Sequence, residues 1–374
     1  MIQKKAIVVG SGILGMAAAK SLSELNYQVT VFERSLKAEG SSIRNFGMVW
    51  PIGQHSNKYL ERALQSRDTW TNICKNAGIW HHSSGSLQLF TNKIELEMAN
   101  EFYDAEIHHR SNLKILTAEK CLEMAPNLNQ KNVIGGLFSS TEVIVESREA
   151  IRVIPTYLAA KYNIEFNFGK TIVESTTGKV KTSDGETYLA DIIIICSGYE
   201  TNLLYPSIFE TAPITISQLN MLRSAPIAHQ IPAICAGLSY LHYDSYSTLS
   251  QKNEYQNFCL EKYPNQVKNG IHLLVSQNHE LALTIGDSHE YGNQLDPFQS
   301  QDIDQFILDY YAEIMNKNDI QIAQRWMGKY LKMTNGESEW IQEVENGVFI
   351  FNGPGGAGMT LGWGMAHEII PKIA

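Results

Sequence analysis

Residues 6–15 read AIVVGSGILG, an apolar strand that runs into a glycine-rich turn, and residues 16–22 (MAAAKSL) continue as a helix. A second strand-like segment, residues 28–32 (QVTVF), ends in Glu33. The Gly-x-Gly-x-x-Gly pattern inside a βαβ unit, followed about 20 residues later by an acidic residue, is typical of dinucleotide binding. The stretch therefore predicts an α/β fold with a parallel sheet and a dinucleotide site.

Each residue of this pattern has a physical role. Gly10 permits the tight turn, Gly12 lets the backbone approach a pyrophosphate, and Gly15 lets the helix pack close to the strand. The N-terminus of that helix stabilises the anion. Glu33 would accept hydrogen bonds from a ribose 2′-hydroxyl, and its negative charge disfavours the 2′-phosphate of NADP.

Length and composition narrow the class of protein. A chain of 374 residues suggests two domains. Its net charge of −9 argues against nucleic acid or an anionic membrane as the main partner. No apolar run reaches the roughly 18–20 residues of a membrane span. The five cysteines have no metal-like spacing and are typical of buried thiols in a reducing compartment, so we expect a cytoplasmic protein. They are Cys74, Cys121, Cys196, Cys235 and Cys259.

Nucleotide-type and antiparallel segments alternate along the chain. Residues 191–198 (DIIIICSG) predict a central parallel strand whose carboxyl end, at Ser197 and Gly198, faces a ligand. Residues 213–300 alternate as antiparallel strands do. We therefore expect two interleaved, discontinuous domains. The nucleotide-binding domain comprises residues 1–85, 140–212 and 322–374, and the substrate-binding domain comprises residues 86–139 and 213–321.

A second glycine-rich loop bears on the identity of the cofactor. Residues 352–360 (NGPGGAGMT) follow the apolar strand at 347–351 and open a helix. An NAD enzyme does not need a second such loop, whereas a flavin enzyme needs further backbone groups near the ring and ribityl chain. The loop favours FAD, with a plain glycine-rich helix cap as the alternative.

These segments, together with residues 41–49 (SSIRNFGMV) and 325–330 (RWMGKY), resemble the FAD-dependent oxidoreductases of the D-amino-acid oxidase, glycine oxidase and sarcosine oxidase family. The resemblance implies a glutathione-reductase-like, Rossmann-type FAD domain interleaved with an antiparallel-sheet substrate domain. It also implies noncovalent FAD, because sarcosine-oxidase-like members attach the ring to a cysteine in the C-terminal part, and no cysteine follows Cys259.

The resemblance implies cofactor-binding residues in several segments. They are Gly10, Gly12, Ile13, Leu14, Gly15, Glu33, Arg34, Ser42, Arg44, Asn45, Phe46, Gly47, Met48, Val173, Ser197, Gly198, Gly328, Gly353, Gly355, Gly356, Ala357, Gly358, Met359 and Thr360.

One departure from the family pattern concerns the substrate. Glycine-oxidase-like relatives read W-x-G-x-R in the segment aligned with residues 326–330, and that arginine binds the substrate carboxylate as a bidentate pair. Here Tyr330 takes its place. The sequences of four segments resemble those of a subgroup associated with phosphonate breakdown. The segments are residues 41–54, 221–226, 286–292 and 325–330. That resemblance implies an aminoalkylphosphonate substrate, such as 2-aminoethylphosphonate or its N-methyl form.

Several side chains are candidates for the substrate pocket. They are Met48, Trp50, Gln54, His55, Arg223, His242, His289, Tyr291 and Tyr330, of which His55, His289 and Tyr330 are also candidate catalytic groups. The alternative to substrate binding is a structural role. Each histidine would then be a structural hydrogen-bond partner, and Arg223 would be half of an ion pair. No metal site is predicted.

The implied reaction is oxidation of the C–N bond of a small amine. Hydride passes to flavin N5, the imine is hydrolysed, and O2 or another acceptor reoxidises the flavin. Alternatives within enzymes are an oxidase of D-amino acids, glycine or sarcosine, an FAD dehydrogenase of a 2-hydroxy acid, and an NAD dehydrogenase. A dinucleotide-binding regulatory protein is the alternative without catalysis.

Overall fold

The computed structural model describes residues 3–54, 58–106, 109–316 and 320–374. Within these ranges the chain forms four β-sheets and ten α-helices. The helices are α1 (Ile13–Glu24), α2 (Lys58–Ala77), α3 (Lys93–Ala105), α4 (Ala118–Met124), α5 (Ser147–Tyr162), α6 (Pro206–Thr211), α7 (Lys252–Lys262), α8 (Pro264–Lys268), α9 (Gln301–Ile314) and α10 (Gly358–Ile373).

A six-stranded sheet carries the first glycine turn. Its strands in spatial order are β20 (Trp340–Glu345), β21 (Val348–Asn352), β13 (Ile192–Ile195), β1 (Lys5–Val9), β2 (Gln28–Glu33) and β9 (Glu165–Phe168). All neighbouring pairs are parallel except β20 with β21. Helix α1 connects β1 to β2, so the predicted Rossmann-type βαβ unit is confirmed.

Both faces of this sheet are covered, as the uninterrupted apolar run of β13 predicts. Ile192 and Ile194 point into a core shared with α1, α2, α5 and α10. Ile193 and Ile195 point into a second core on the opposite face. A strand buried on both faces loses the polar alternation of a half-exposed strand.

A nine-stranded sheet forms the second layer. Eight strands in spatial order are β18 (Glu290–Gly292), β14 (Ile214–Pro226), β17 (Ala282–Gly286), β16 (Leu273–Gln277), β15 (Ala233–Ala236), β5 (Ser86–Phe90), β7 (Gly135–Ser139) and β6 (Leu113–Thr117). The ninth, β19 (Ile322–Met333), pairs with β14. All pairs are antiparallel except β15 with β5. A third apolar core packs under this sheet against α3, α7 and α9.

Two small sheets complete the structure. One contains β10 (Ile172–Thr176), β11 (Lys179–Thr182) and β12 (Thr187–Leu189), and the other contains β3 (Met48–Val49), β8 (Val143–Val145) and β4 (His81–His82). In the described part of the chain, no helix combines the length and apolar character needed to cross a membrane.

The long strand β19 bears on the division into domains. It lies within residues 322–374, which the sequence analysis assigns to the nucleotide-binding domain, yet it pairs with β14 from Ser224↔Ile322 to Ile214↔Met333. The same interval also supplies β20, β21 and α10 to the six-stranded side of the molecule. We keep the two-domain division as a proposal, with residues 322–374 contributing to both sheets.

Close packing holds α10 against α2 behind the second glycine loop. A Cβ built on Gly364 would lie 2.2 Å from the carbonyl oxygen of Arg62. The Arg62 guanidinium is buried and donates to Glu339 and Glu368, at 2.6 Å each. These contacts fix the position of α10, whose first residues belong to the second glycine loop.

We expect Gly364→Ala to lower the free energy of unfolding by about 1–3 kcal/mol, because the added methyl group forces α10 away from α2. Gly292→Ala is the matched control, since its Cβ would meet only ordinary contacts at 3.6 Å and beyond. Thermal unfolding followed by circular dichroism measures both. Equal melting temperatures for the two variants would contradict the close approach of the helices.

Candidate active site

A cavity of about 240 Å³ surrounds the first glycine turn. A Cβ on Gly10 would lie 2.4 Å from the Cys196 carbonyl, and a Cβ on Gly15 would lie 1.9 Å from that of Gly10. A Cβ on Gly12, by contrast, would meet only Ser42 Oγ, at 3.1 Å. Gly10 and Gly15 therefore have backbone neighbours that exclude a side chain, whereas Gly12 leaves room for a ligand.

Polar groups at this turn suit an anion. The hydroxyls of Ser11 and Ser197 are buried without a hydrogen-bond partner. Ser42 Oγ accepts from the backbone N–H of Ile13 at 3.0 Å. Arg44 lines the cavity, and its Nη1 donates to the Met327 carbonyl at 3.5 Å, whereas among the described residues it forms no ion pair with a carboxylate. Unsatisfied hydroxyls, a guanidinium that is not paired with a carboxylate, and a helix N-terminus match the needs of a pyrophosphate.

The Glu33 carboxylate lies at the end of β2. It accepts from the backbone N–H of Ser11 at 2.9 Å and of Ser35 at 3.0 Å. Each of its oxygens keeps lone-pair capacity for a ribose hydroxyl. Arg34, next along the chain, pairs with Glu200 at 3.0 Å at the edge of the cavity.

A second cavity, of about 320 Å³, continues from the first. Ser41, Ser42 and Arg44 line both cavities, so the two form one elongated channel. The second glycine loop, residues 353–360, closes one wall of the second cavity, and strands β14 and β19 close another. The channel thus runs from the first glycine turn to the second, as an extended dinucleotide requires.

Tyr330 lies where the glycine loop meets the nine-stranded sheet. Across the ladder it is opposite Ser217, which in turn is opposite Tyr291. A Cβ on Gly356 would lie 3.3 Å from the Tyr330 hydroxyl. Burial raises the pKa of Tyr330, so its phenol stays protonated and can donate a hydrogen bond.

Three imidazole rings lie against one another in the lining of the second cavity. The ring centroids of His242 and His272 are 3.9 Å apart, and those of His272 and His289 are 4.3 Å apart. Burial lowers the pKa of His242 to about 3 and that of His272 well below its usual range. The rings of His242 and His272 are therefore neutral at physiological pH.

Asp287 lies between two of these rings. Its Oδ1 is 3.9 Å from His272 Nδ1 and 3.8 Å from His289 Nδ1. Burial raises the pKa of the Asp287 carboxyl. The Gly270 carbonyl, 3.0 Å from His289 Nδ1, fixes the orientation of that ring.

The structure brings most of the predicted substrate-binding residues together. Met48, Trp50, Gln54, His242, His289, Tyr291 and Tyr330 all line the second cavity. His55 lies outside the described residues. Arg223 is not part of the cavity lining, because its guanidinium turns to Glu146 at 3.6 Å and to Thr284 Oγ1 at 3.2 Å.

The predicted cofactor-binding residues follow the channel. Gly10, Gly12, Glu33, Arg34, Ser42, Arg44, Ser197 and Gly198 line its first part. Ile13, Ser42, Arg44, Asn45, Phe46, Met48, Gly328, Gly353, Gly355, Gly356, Ala357, Gly358, Met359 and Thr360 line its second part. Leu14, Gly15 and Gly47 lie outside both linings. Val173 is 40% exposed and also outside, whereas its neighbours Lys170, Thr171 and Ile172 line the first part.

Sequence reasoning missed His272 and Asp287, which lie beside His242 and His289 in the second cavity. His272 precedes the apolar run of β16 and was not singled out by any motif. Asp287 belongs to the GDSHEYG segment, but no local pattern shows that it faces His272. The backbone contact that joins them, from His272 N–H to the Asp287 carbonyl at 2.8 Å, spans 15 residues.

A protein-family model described as FAD dependent oxidoreductase matches residues 5–370. The chain belongs to this family. FAD is accordingly its cofactor, and the residues of the channel fit that group: an open approach at Gly12, an unpartnered hydroxyl at Ser197, and a second glycine loop beyond.

Individual proteins resemble the chain more distantly. It is 22% identical over 260 residues to D-amino acid dehydrogenase 2 of Mesorhizobium japonicum, covering 54% of this chain and 62% of that protein. The matched part thus spans less than two thirds of that relative. In fold it resembles L-proline dehydrogenase from P. horikoshii, with a TM-score of 0.79, 18% identity, and coverage of 100% of this chain and 93% of the other. It also resembles glycine oxidase from Geobacillus kaustophilus, with a TM-score of 0.76, 17% identity, and coverage of 99% and 94%.

We expect Gly12→Ala to reduce the flavin bound per chain by about tenfold or more, because the methyl group enters the space that the pyrophosphate needs. The fold itself should persist, since the new Cβ meets only the end of the Ser42 side chain. Flavin released on denaturation, measured by absorbance, reports the loss, with Gly292→Ala as control. Normal flavin content in Gly12→Ala would place the pyrophosphate elsewhere.

Proposed function

We propose that this FAD-dependent oxidoreductase oxidises the C–N bond of a small amine that carries a strongly acidic group, and that an aminoalkylphosphonate is its substrate. 2-Aminoethylphosphonate and its N-methyl form are the compounds we favour. The observation that carries the proposal is Tyr330, which lies in the second cavity at the position where glycine-oxidase-like relatives have a carboxylate-binding arginine.

The pocket offers many hydrogen-bonding groups in place of one guanidinium. His242, His289, Tyr291 and Tyr330 line the same cavity. A carboxylate presents two oxygens in a plane and suits a bidentate arginine, whereas a phosphonate presents three oxygens in a tetrahedral arrangement. Donors that arrive from separate segments of the chain suit the tetrahedral group better.

Apolar side chains face the middle of the channel. Met48 and Trp50 come from the loop after the first βαβ unit, and Leu219 and Met221 come from β14. Bound FAD supplies the two-electron acceptor for C–N oxidation, after which water hydrolyses the imine to a carbonyl compound and an amine. The task of the protein is to hold the reacting C–H bond in place and to keep the site dry, and these four side chains serve that purpose.

Two other substrate classes remain as alternatives. Relatives named for D-amino acids and glycine suggest an ordinary amino-acid oxidase or dehydrogenase, with sarcosine as a further substrate. A 2-hydroxy acid is the other alternative. Both would place a carboxylate near Tyr330, where a neutral phenol must replace a guanidinium.

Anaerobic mixing with a panel of compounds tests the proposal. The panel is 2-aminoethylphosphonate, its N-methyl form, glycine, sarcosine, a mixture of D-amino acids, and a 2-hydroxy acid. We expect the phosphonates to bleach the visible flavin absorbance, and the others to do so at least about tenfold more slowly. Bleaching by glycine or D-amino acids alone would refute the substrate assignment. Readmission of air with a peroxide assay then identifies O2 or another acceptor.

A single substitution tests the part that Tyr330 plays. We expect Tyr330→Arg to shift the ratio of kcat/KM for glycine over 2-aminoethylphosphonate upwards by about tenfold or more, because it restores a bidentate partner for a carboxylate. Tyr330→Phe is the control, since it removes only the hydroxyl and adds no charge. The same ratio in both variants would show that position 330 does not select the acidic group.

A further inference from the structure

We propose that His272, Asp287 and His289 form a binding site for a divalent transition-metal ion, with Zn²⁺ the ion best suited to it. Each of the three side chains offers one ligand atom, and these atoms all lie within 4.8 Å of one another. All three residues line the second cavity, which the second glycine loop also lines.

The donor set matches zinc chemistry. Zinc binds imidazole nitrogen and carboxylate oxygen, and sites with three protein ligands keep a fourth position open. Ligand atoms around one zinc ion lie roughly 3–4 Å apart, so the separations here need to shorten by at most about 1–2 Å. Asp287 Oδ1 is already 3.9 Å from His272 Nδ1.

Unsatisfied atoms provide an independent observation. Asp287 is 5% exposed, and its Oδ1 is buried without a hydrogen-bond partner. His272 Nε2 is also buried without a partner. Among the residues that the structure describes, neither Lys nor Arg forms an ion pair with Asp287. A buried carboxylate oxygen left without a partner is costly, and a cation would satisfy it.

The backbone holds the ligand residues in place without a metal. The His272 N–H donates to the Asp287 carbonyl at 2.8 Å, and the His289 N–H donates to the Asn269 carbonyl at 3.0 Å. The Gly270 carbonyl accepts a hydrogen bond from His289 Nδ1 at 3.0 Å and so holds that ring in its orientation. His242 stacks on His272 and covers one side of the cluster. The site is therefore preorganised.

The position of the site suggests what the open coordination position does. The ring of His289 lies 6.4 Å from that of Tyr330, centroid to centroid. A metal ion here would bind an oxygen of the acidic group of the substrate and replace the arginine that the chain lacks. This role rests on the function proposed above, whereas the metal site itself does not.

Zinc binding to the FAD-loaded protein tests the site. After dialysis against a chelator and its removal, Zn²⁺ is titrated by calorimetry, and bound metal is measured after gel filtration. We expect one zinc per chain, with Asp287→Asn and His289→Gln each weakening binding at least about tenfold. His279→Gln is the matched control, since His279 is exposed and not part of the cluster. Flavin content and circular dichroism verify that each variant is folded.

A second measurement tests the role of the ion. Ethylphosphonate, which cannot be oxidised at a C–N bond, is titrated into the holoenzyme with and without Zn²⁺, and the change in the flavin spectrum is followed. We expect its affinity to rise at least about tenfold with zinc, and not to rise in Asp287→Asn.

The outcomes separate the two proposals. Zinc binding that is absent, or that is equal in Asp287→Asn and in the parent protein, overturns the metal site and leaves the amine-oxidation proposal standing. Zinc binding without an effect on ethylphosphonate overturns the anchoring role alone. Failure of every amine to bleach the flavin, with zinc bound, overturns the proposed function and leaves the metal site standing.

Discussion

The antiparallel pairing of β14 with β19 is the constraint on which the shape of the second cavity depends. Along this ladder Gly328 lies opposite Leu219, and Tyr330 lies opposite Ser217. A Cβ on Gly328 would come within 3.1 Å of the Arg44 carbonyl, so the nine-stranded sheet rests directly on the loop that lines both cavities. One set of backbone hydrogen bonds therefore holds β19 against the loop that joins the two cavities.

The sequence predicts the parts of this arrangement that are encoded in contiguous segments. The glycine turn at residues 10–15, the apolar run at 191–198 and the glycine loop at 352–360 each combine strand, turn and helix within a few residues, because the phosphate-binding geometry is local. These segments were sufficient to predict the α/β class, the family and FAD, all of which are confirmed. The presence of Tyr330 in place of an arginine is visible in the sequence for the same reason, since W-x-G-x-R is a short pattern.

The remaining features depend on contacts between distant segments. His272 and Asp287 meet because β16 and β17 pair, and nothing in either segment alone indicates that contact. Arg223 pairs with Glu146, which is distant in the sequence. The position of Arg223 in the sequence therefore does not predict which group its guanidinium contacts. Strand register, rather than residue type, decides which side chains share a pocket.

The order of strands in the six-stranded sheet has a consequence for synthesis of the chain. The central strand β1 pairs with β13, about halfway along the sequence, and β13 pairs in turn with β21. Helix α10 then packs against α1. Domains that emerge from the ribosome fold from the N-terminus onwards, but long-range strand pairs form slowly. At about 5–20 residues per second, the first glycine turn is therefore made roughly 15–70 seconds before the segment at 348–373 that completes its core. Until that segment is released, β13 lacks the neighbour β21, and α1 lacks the helix α10 that packs against it.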